Sequence, residues 1–275
     1  MRLFRFDDPT RKPDLSRLND HTRFLHPRYH RCVFDYVLNE CAGTDLRNAA
    51  GPNPSTVAYN NILWSETQAG PALDLDGSSS SYRWAPPVIT APPFTMAVGF
   101  ITDTLSQAGT LFSLSNYTVV SQQFAIIQVR AVDFSDGDDI LFFTRSGGSY
   151  TAASPVATKT VSLDTVHVAV ATAQSTSSRT IWLDGANSAT NTTSISPIGI
   201  DNFAIGRLND STPSTYFNGK ILFARAWSRV LSAAEVRSLS DAPYLEYATT
   251  RSWWFVPSAA STSTTSRYFP LLGVG

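Results

Sequence analysis

Glutamate is scarce in this chain: among 275 residues only Glu40, Glu66, Glu235 and Glu246 carry it. A glycan hydrolase of the two-carboxylate kind needs an acid and a nucleophile about 5 to 5.5 Å apart across the scissile bond. None of the four glutamates lies in an alternating E-x-D-x-E strand. Asp74 and Asp76 in LDLDGS do alternate, but a strand ending in Asp-Gly reads as the start of a turn. No catalytic residue is assigned, and the chain is expected not to be an enzyme.

Histidine is equally sparse. His21, His26 and His30 crowd the N-terminal stretch, and Pro27 argues against a helix that would set the last two on one face, so contacts rather than a metal are expected there. His167 alternates with valines in TVHVAV and is expected to be a partly exposed strand residue. With no G-x-S-x-G or reactive cysteine near it, nucleophilic catalysis finds no support. There are only two cysteines, Cys32 and Cys41. They could meet across a turn or join His30 at a zinc, but in a reducing compartment two small apolar thiols are the preferred reading.

Long apolar runs are also missing, which excludes a helical membrane span. The opening MRLFRFDDPTRKPD has no continuous apolar stretch of the secretion-signal kind, so synthesis and assembly in a cytoplasm are expected. The triplets at Asn116, Asn191 and Asn209 are therefore discounted as glycosylation acceptors. Net charge is −1, with residues 1–32 at +4 and the remainder at −5. That excess is too small and too mixed in sign for nucleic acid; an acidic protein surface suits it better.

What the chain does have is short apolar runs of period two. FTMAVGFI puts Phe94, Met96, Val98 and Phe100 on one face, and VHVAVATA does the same for Val166, Val168 and Val170. TLFSLS, FAIIQVR, ILFFTR, TIWLDG and NFAIGRL add further candidates between Gly, Ser, Asp and Asn clusters. Many short strands without a helical period between them indicate an antiparallel sandwich. One helix is legible. Ser232-Ala-Ala-Glu235 fits a capping box, Leu231 and Val236 fit a hydrophobic staple, and Asp241 and Pro243 end the segment. Before it, Asn218-Gly219 suits a hairpin turn, leading into a strand at 220–228. That strand is apolar on both sides, Ile221, Phe223 and Trp227 alternating with Leu222, Ala224 and Ala226, so its second face must be covered.

Four stretches stand in a telling order: YVLNECAGTDLRNAAG (36–51), WSETQAGPALDLDGSSSSY (64–82), HVAVATAQSTSSRTIWLDGANSA (167–189) and DNFAIGRLNDSTPSTYFNGKILFARAWSRVLSAAEV (201–236). Together they resemble the laminin-G-like, or concanavalin-A-like, jelly-roll domain over residues 33–240. The resemblance implies an all-β antiparallel jelly-roll sandwich with one short capped helix. The fold hosts lectins, glycanases, adhesion modules and structural proteins alike. Laminin-G-like domains often carry a rim calcium, for which Asp76 or the DFSDGDD loop with Asp133, Asp136, Asp138 and Asp139 could supply oxygen ligands. Without EF-hand spacing, a solvated acidic turn is the favoured alternative, and no other cofactor is implied. Trp64, Tyr82 and Trp84 could stack on a sugar, although aromatics in sandwiches are more often core.

Residues 1–32 and 241–275 read as extended arms, neither able to build a core alone. Ordering them costs on the order of 1 to 2 kcal/mol per residue, so they need anchors buried against something large. The candidates are Arg2, Phe4, Arg5 and Phe6 at one end, and Trp253, Trp254, Phe255, Tyr268 and Phe269 at the other. A sandwich followed by RSWWFVP is also similar to modules of tailed-bacteriophage virion proteins. The expectation is a virion structural and binding protein: first a capsid decoration or head-associated protein whose arms clamp neighbouring subunits, second a tail or fibre component that binds carbohydrate. Its expected partners are other virion proteins and further copies of itself, with glycan as a further candidate and neither nucleic acid nor membrane.

Overall fold

The computed structural model describes residues 12, 27–38, 40–41, 46, 48–50, 56–59, 63–79, 81–84, 89–119, 122–130, 140–153 and 161–247. Fifteen strands are formed among them: β1 (Cys32–Tyr36), β2 (Thr56–Tyr59), β3 (Leu63–Thr67), β4 (Gly70–Asp76), β5 (Ser81–Trp84), β6 (Phe94–Thr102), β7 (Gly109–Ser115), β8 (Gln123–Val129), β9 (Ile140–Ser146), β10 (Ser149–Ala153), β11 (His167–Ser175), β12 (Ser178–Leu183), β13 (Asn187–Asn191), β14 (Asn202–Ile205) and β15 (Asn218–Trp227). One helix, α1 (Ala233–Asp241), follows, and short 3₁₀ turns occupy Pro27–Tyr29 and Leu245–Tyr247.

The strands make two antiparallel sheets. The first runs β13-β12-β11-β6-β15-β4-β3, and β1 pairs with the part of β15 that β4 leaves open. The second runs β10-β9-β8-β7-β14-β5-β2. The expected alternation of β6 holds: Phe94, Met96, Val98 and Phe100 enter the space between the sheets, where they meet Phe112, Ile127, Phe142 and Phe203. A Phe buried there contributes about 1.5–3 kcal/mol over leaving it in water. This is the jelly-roll sandwich that the sequence implies.

Strand β15 departs from simple alternation. A bulge between Ile221 and Phe223 adds a residue to its pairing with β6, which re-aims everything downstream. Ile221, Ala224 and Ala226 therefore face the main core, while Leu222, Phe223 and Trp227 face outward into a second apolar layer. Asn218-Gly219 is not a hairpin turn but the start of this strand, paired with Asp76 and Leu75. Gly219 has φ 144°, and a Cβ there would collide with the carbonyl of Ile101. Only glycine fits that combination.

The second layer is the cover that the two-sided strand requires. The Ser232–Glu235 capping box forms as expected, and Leu231, Val236 and Leu239 pack with Val168, Val170, Phe223 and Trp227. Tyr244 and Tyr247 complete the layer, so residues 242–247 lie on the body, as do Arg28 and Tyr29. Arg225 projects into this layer between Asp35, with Nε donating to Oδ1 at 2.7 Å, and Glu246. Arg28 pairs with the same Glu246, and the Tyr247 hydroxyl donates to Asp35. Burial lowers the affinity of Arg225 for its proton, but the carboxylates of Asp35 and Glu246 outweigh that and raise its pKa well above the ordinary value. Burial pushes the Asp35 carboxyl up, opposed by Arg225.

Candidate functional site

At one end of the sandwich, four connections come together: the β7–β8 loop, the β9–β10 turn, the β11–β12 turn and the long β13–β14 passage. Polar bonds tie them to one another. The Ile198 N–H donates to Gln123 Oε1 at 2.9 Å, the Ser146 hydroxyl donates to Ser196 O at 2.8 Å, and the Gly147 N–H donates to Gln122 O at 2.7 Å. Arg179 is almost fully buried and braces the passage from below. Its guanidinium donates to the carbonyls of Thr176, Thr193 and Ile195 and to Asn191 Oδ1. Burial lowers its pKa from the usual arginine value.

On this frame sit two exposed apolar side chains, Tyr117 at 38% and Ile198 at 66% accessible. Between their loops lies a carboxylate with a fixed heading. Asp201 Oδ1 accepts the Tyr117 N–H at 2.8 Å and the Asn202 amide at 2.9 Å, while the Asp201 N–H donates to Ser115 O at 3.1 Å. Asn116 is beside it, its Oδ1 taken by the Thr118 N–H at 2.8 Å. Gly199 at φ 64° lets the passage approach so closely that a Cβ would strike Asn116 Nδ2. An exposed ring, an amide and a carboxylate on a braced loop frame are what a hydroxyl-rich, partly apolar ligand recognises. Beneath the frame the gap between the sheets is too small for a ligand: a crevice of about 20 Å³ lined by Ile89, Phe94, Leu114, Phe142 and Ile200 has room for one water.

The residues singled out in the sequence fall elsewhere. Asp76 Oδ1 accepts the N–H groups of Ser78 and Ser79 at 2.9 and 2.8 Å, which shapes the turn after β4. Asp74 accepts from the Ser65 hydroxyl and is paired across the strands with Lys220. Trp64 packs partly against the main core. Tyr82 and Trp84 lie on β5. Cys32 and Cys41 are not joined by a disulfide. Among the described residues no three His, Cys, Asp or Glu side chains are grouped to hold a metal ion. Asp133, Asp136, Asp138 and Asp139 lie outside the described residues. So do Arg2, Phe4, Arg5, Phe6, Trp253, Trp254, Phe255, Tyr268 and Phe269.

His167 is not half-exposed but buried at 2%, stacked near Phe100 on the core side of β11. Its Nδ1 meets Asp184 Oδ2 at 2.9 Å, and its Nε2 lies 3.1 Å from both the Ser162 hydroxyl and the Ser162 N–H. The order Ser–His–Asp is that of a hydrolytic triad, but here Nε2 accepts a backbone N–H, which takes up the lone pair a general base needs. The ring is a bracket that fastens the 161–166 loop to the sheet.

A family model described as the concanavalin A-like lectin/glucanases superfamily matches residues 76–237. None of the curated proteins matches the chain. Among solved structures, domain 4 of AbnA, a GH43 extracellular arabinanase from Geobacillus stearothermophilus in complex with arabinotriose, is similar at TM-score 0.59 and 13% identity, over 76% of this chain and 98% of that one. The binding domain of Paraclostridial Mosquitocidal Protein 1 is similar at TM-score 0.57 and 11% identity, over 78% of this chain. The botulinum neurotoxin type G receptor binding domain follows at 0.56 and 11%, over 77%. This chain spans about half of each toxin domain, 52% and 51%. At such identities the likeness is one of fold.

Proposed function

The chain belongs to the concanavalin A-like lectin/glucanases superfamily, and on that premise we propose that it is a non-enzymatic binding module whose braced loop end reads a glycan. The observation that carries this is the Tyr117–Asp201 pairing, which holds an exposed ring and an oriented carboxylate on one surface. The solved relatives support it in kind, one being an arabinanase domain in complex with arabinotriose and another a receptor binding domain. Among the described residues, Glu235 is in the helix cap, Glu246 and Asp35 are buried in ion pairs, and Asp74 and Asp76 bond their neighbours. Screening on a glycan array, then titration calorimetry with the best glycan, tests the reading. Tyr117→Ala and Asp201→Asn are expected to abolish binding while leaving the melting temperature within a few degrees. Undiminished binding in both variants sinks the assignment.

The setting we infer is a virus particle, on which the module is a capsid decoration or head-associated protein, with a tail or fibre place as the alternative. Support comes from the aromatic C-terminal stretch and from the junctions of the two terminal segments with the body, which are pinned together by Arg28 and Glu246. Removing residues 1–26 or 248–275 is expected to abolish association with purified particles and leave the sandwich folded. Full association of both truncated forms refutes the placement.

A further inference from the structure

Of the first 26 residues Lys12 alone is described, and it sits in a built site. Its Nζ donates to Leu38 O at 2.7 Å and to Pro71 O, and its backbone N–H donates to Ala69 O at 3.4 Å. The stem runs along Gly70, where a Cβ would come within 3.2 to 3.4 Å of it. The carbonyls arrive from separate stretches, the turn after β1 and the start of β4. Leu38 is held at φ 57° and Cys41 at φ 60°, conformations that cost a branched or bulky residue on the order of 1–3 kcal/mol. Because the Leu38 side chain is fully buried in the main core, the core keeps this carbonyl in place independently of any arm. Burial lowers the Lys12 pKa well below the ordinary lysine value, while Glu40, Cys41 and Glu66 act to raise it.

A compact ammonium with three donors suits two converging carbonyls flanked by carboxylates; a planar guanidinium does not. None of these contacts depends on the chain that joins Lys12 to Pro27. That link has 14 residues and can span up to about 50 Å, enough to reach a neighbouring body. The charges also match in sign, +2 on residues 1–26 against −3 on the rest.

We propose that the hollow between Leu38 and Pro71 is a lysine socket through which the N-terminal segment of one copy fastens onto the body of a second copy. This rests on the assembly half of the reading above and is independent of the glycan half. The full chain carrying Lys12→Met supplies an open socket, and the probe is a fluorescent synthetic peptide of residues 1–26. The peptide is expected to bind that chain at least about tenfold more tightly than the same peptide carrying Lys12→Met, since a charge-assisted bond contributes a tenfold factor or more. Glu40→Gln with Glu66→Gln in the body is expected to weaken it by a similar factor. Failure to bind, or equal binding of the two peptides, overturns the proposal. If the Lys12→Met chain does not fold, isotopically light and heavy wild-type copies are mixed and treated with a carbodiimide. Cross-links from Lys12 of one copy to Glu40 or Glu66 of another support it; cross-links confined to single copies, or none, overturn it. Glycan titration and particle association are read separately, so failure here leaves both standing.

Discussion

Arg225 and Asp35, 190 residues apart in sequence, meet at 2.7 Å with side chains 1% and 0% exposed. They join β15 to β1 in the middle of an apolar layer, where neither charge can turn to water.

Because both are desolvated, removing one should cost more than the pair contributes. Asp35→Asn or Arg225→Met is expected to lower unfolding free energy by about 3–5 kcal/mol, whereas Asp35→Leu with Arg225→Met should recover part of it. Urea unfolding of the three variants checks this. A double variant worse than the sum of the singles would contradict it.

Gly99 leaves the space into which the Phe223 ring leans from the neighbouring strand, and a methyl there would collide with two ring atoms. Gly99→Ala should therefore destabilise by about 1–3 kcal/mol or more through overpacking. Phe223→Leu in the same chain should relieve some of it, as read by thermal melts.

The Glu235 carboxylate is partly buried, which alone would raise its pKa. Arg229, at 2.6 Å, and Ser232 outweigh that and hold it at about 2, against 4.5 unfolded. The folded value is the lower one, so its contribution to α1 is fully present above about pH 4.5 and is lost as pH falls toward 2. The gap in melting temperature between wild type and Glu235→Gln should narrow across that window; a constant gap would count against the cap.

If the His167 ring is a bracket and not a base, a fluorophosphonate probe should leave Ser162 unlabelled. His167→Gln should lower the melting temperature and open the 161–166 loop to protease. Labelling of Ser162 that disappears in His167→Gln would overturn the non-enzymatic reading.

Local signals were the legible ones. The capping box needs only residues 232–235, and the inward face of β6 needs only its own alternation, so both could be read from sequence. The bulge at Leu222 could not, because an extra residue in a pairing leaves no mark on one strand alone; it moved Ile221 to the other face. The Arg225–Asp35–Glu246 cluster and the Lys12 socket join segments far apart in the chain, and their members look like ordinary surface charges until the fold is closed. The loop-end site was half visible: in the sequence Asn116-Tyr117-Thr118 has only the pattern of a glycosylation triplet. A lone tyrosine between two turn-forming polar residues was the available sign that its ring stays in water.

Arg28 grips both Glu246 and the carbonyl of Ala242, so the first and last described stretches of the body lie against each other. A body closed in this way behaves as a cassette. It could be spliced into a surface loop of an unrelated host without prying the flanking strands apart, or re-opened at Gly147-Gly148, where an added Cβ would meet nothing, with its old ends fused.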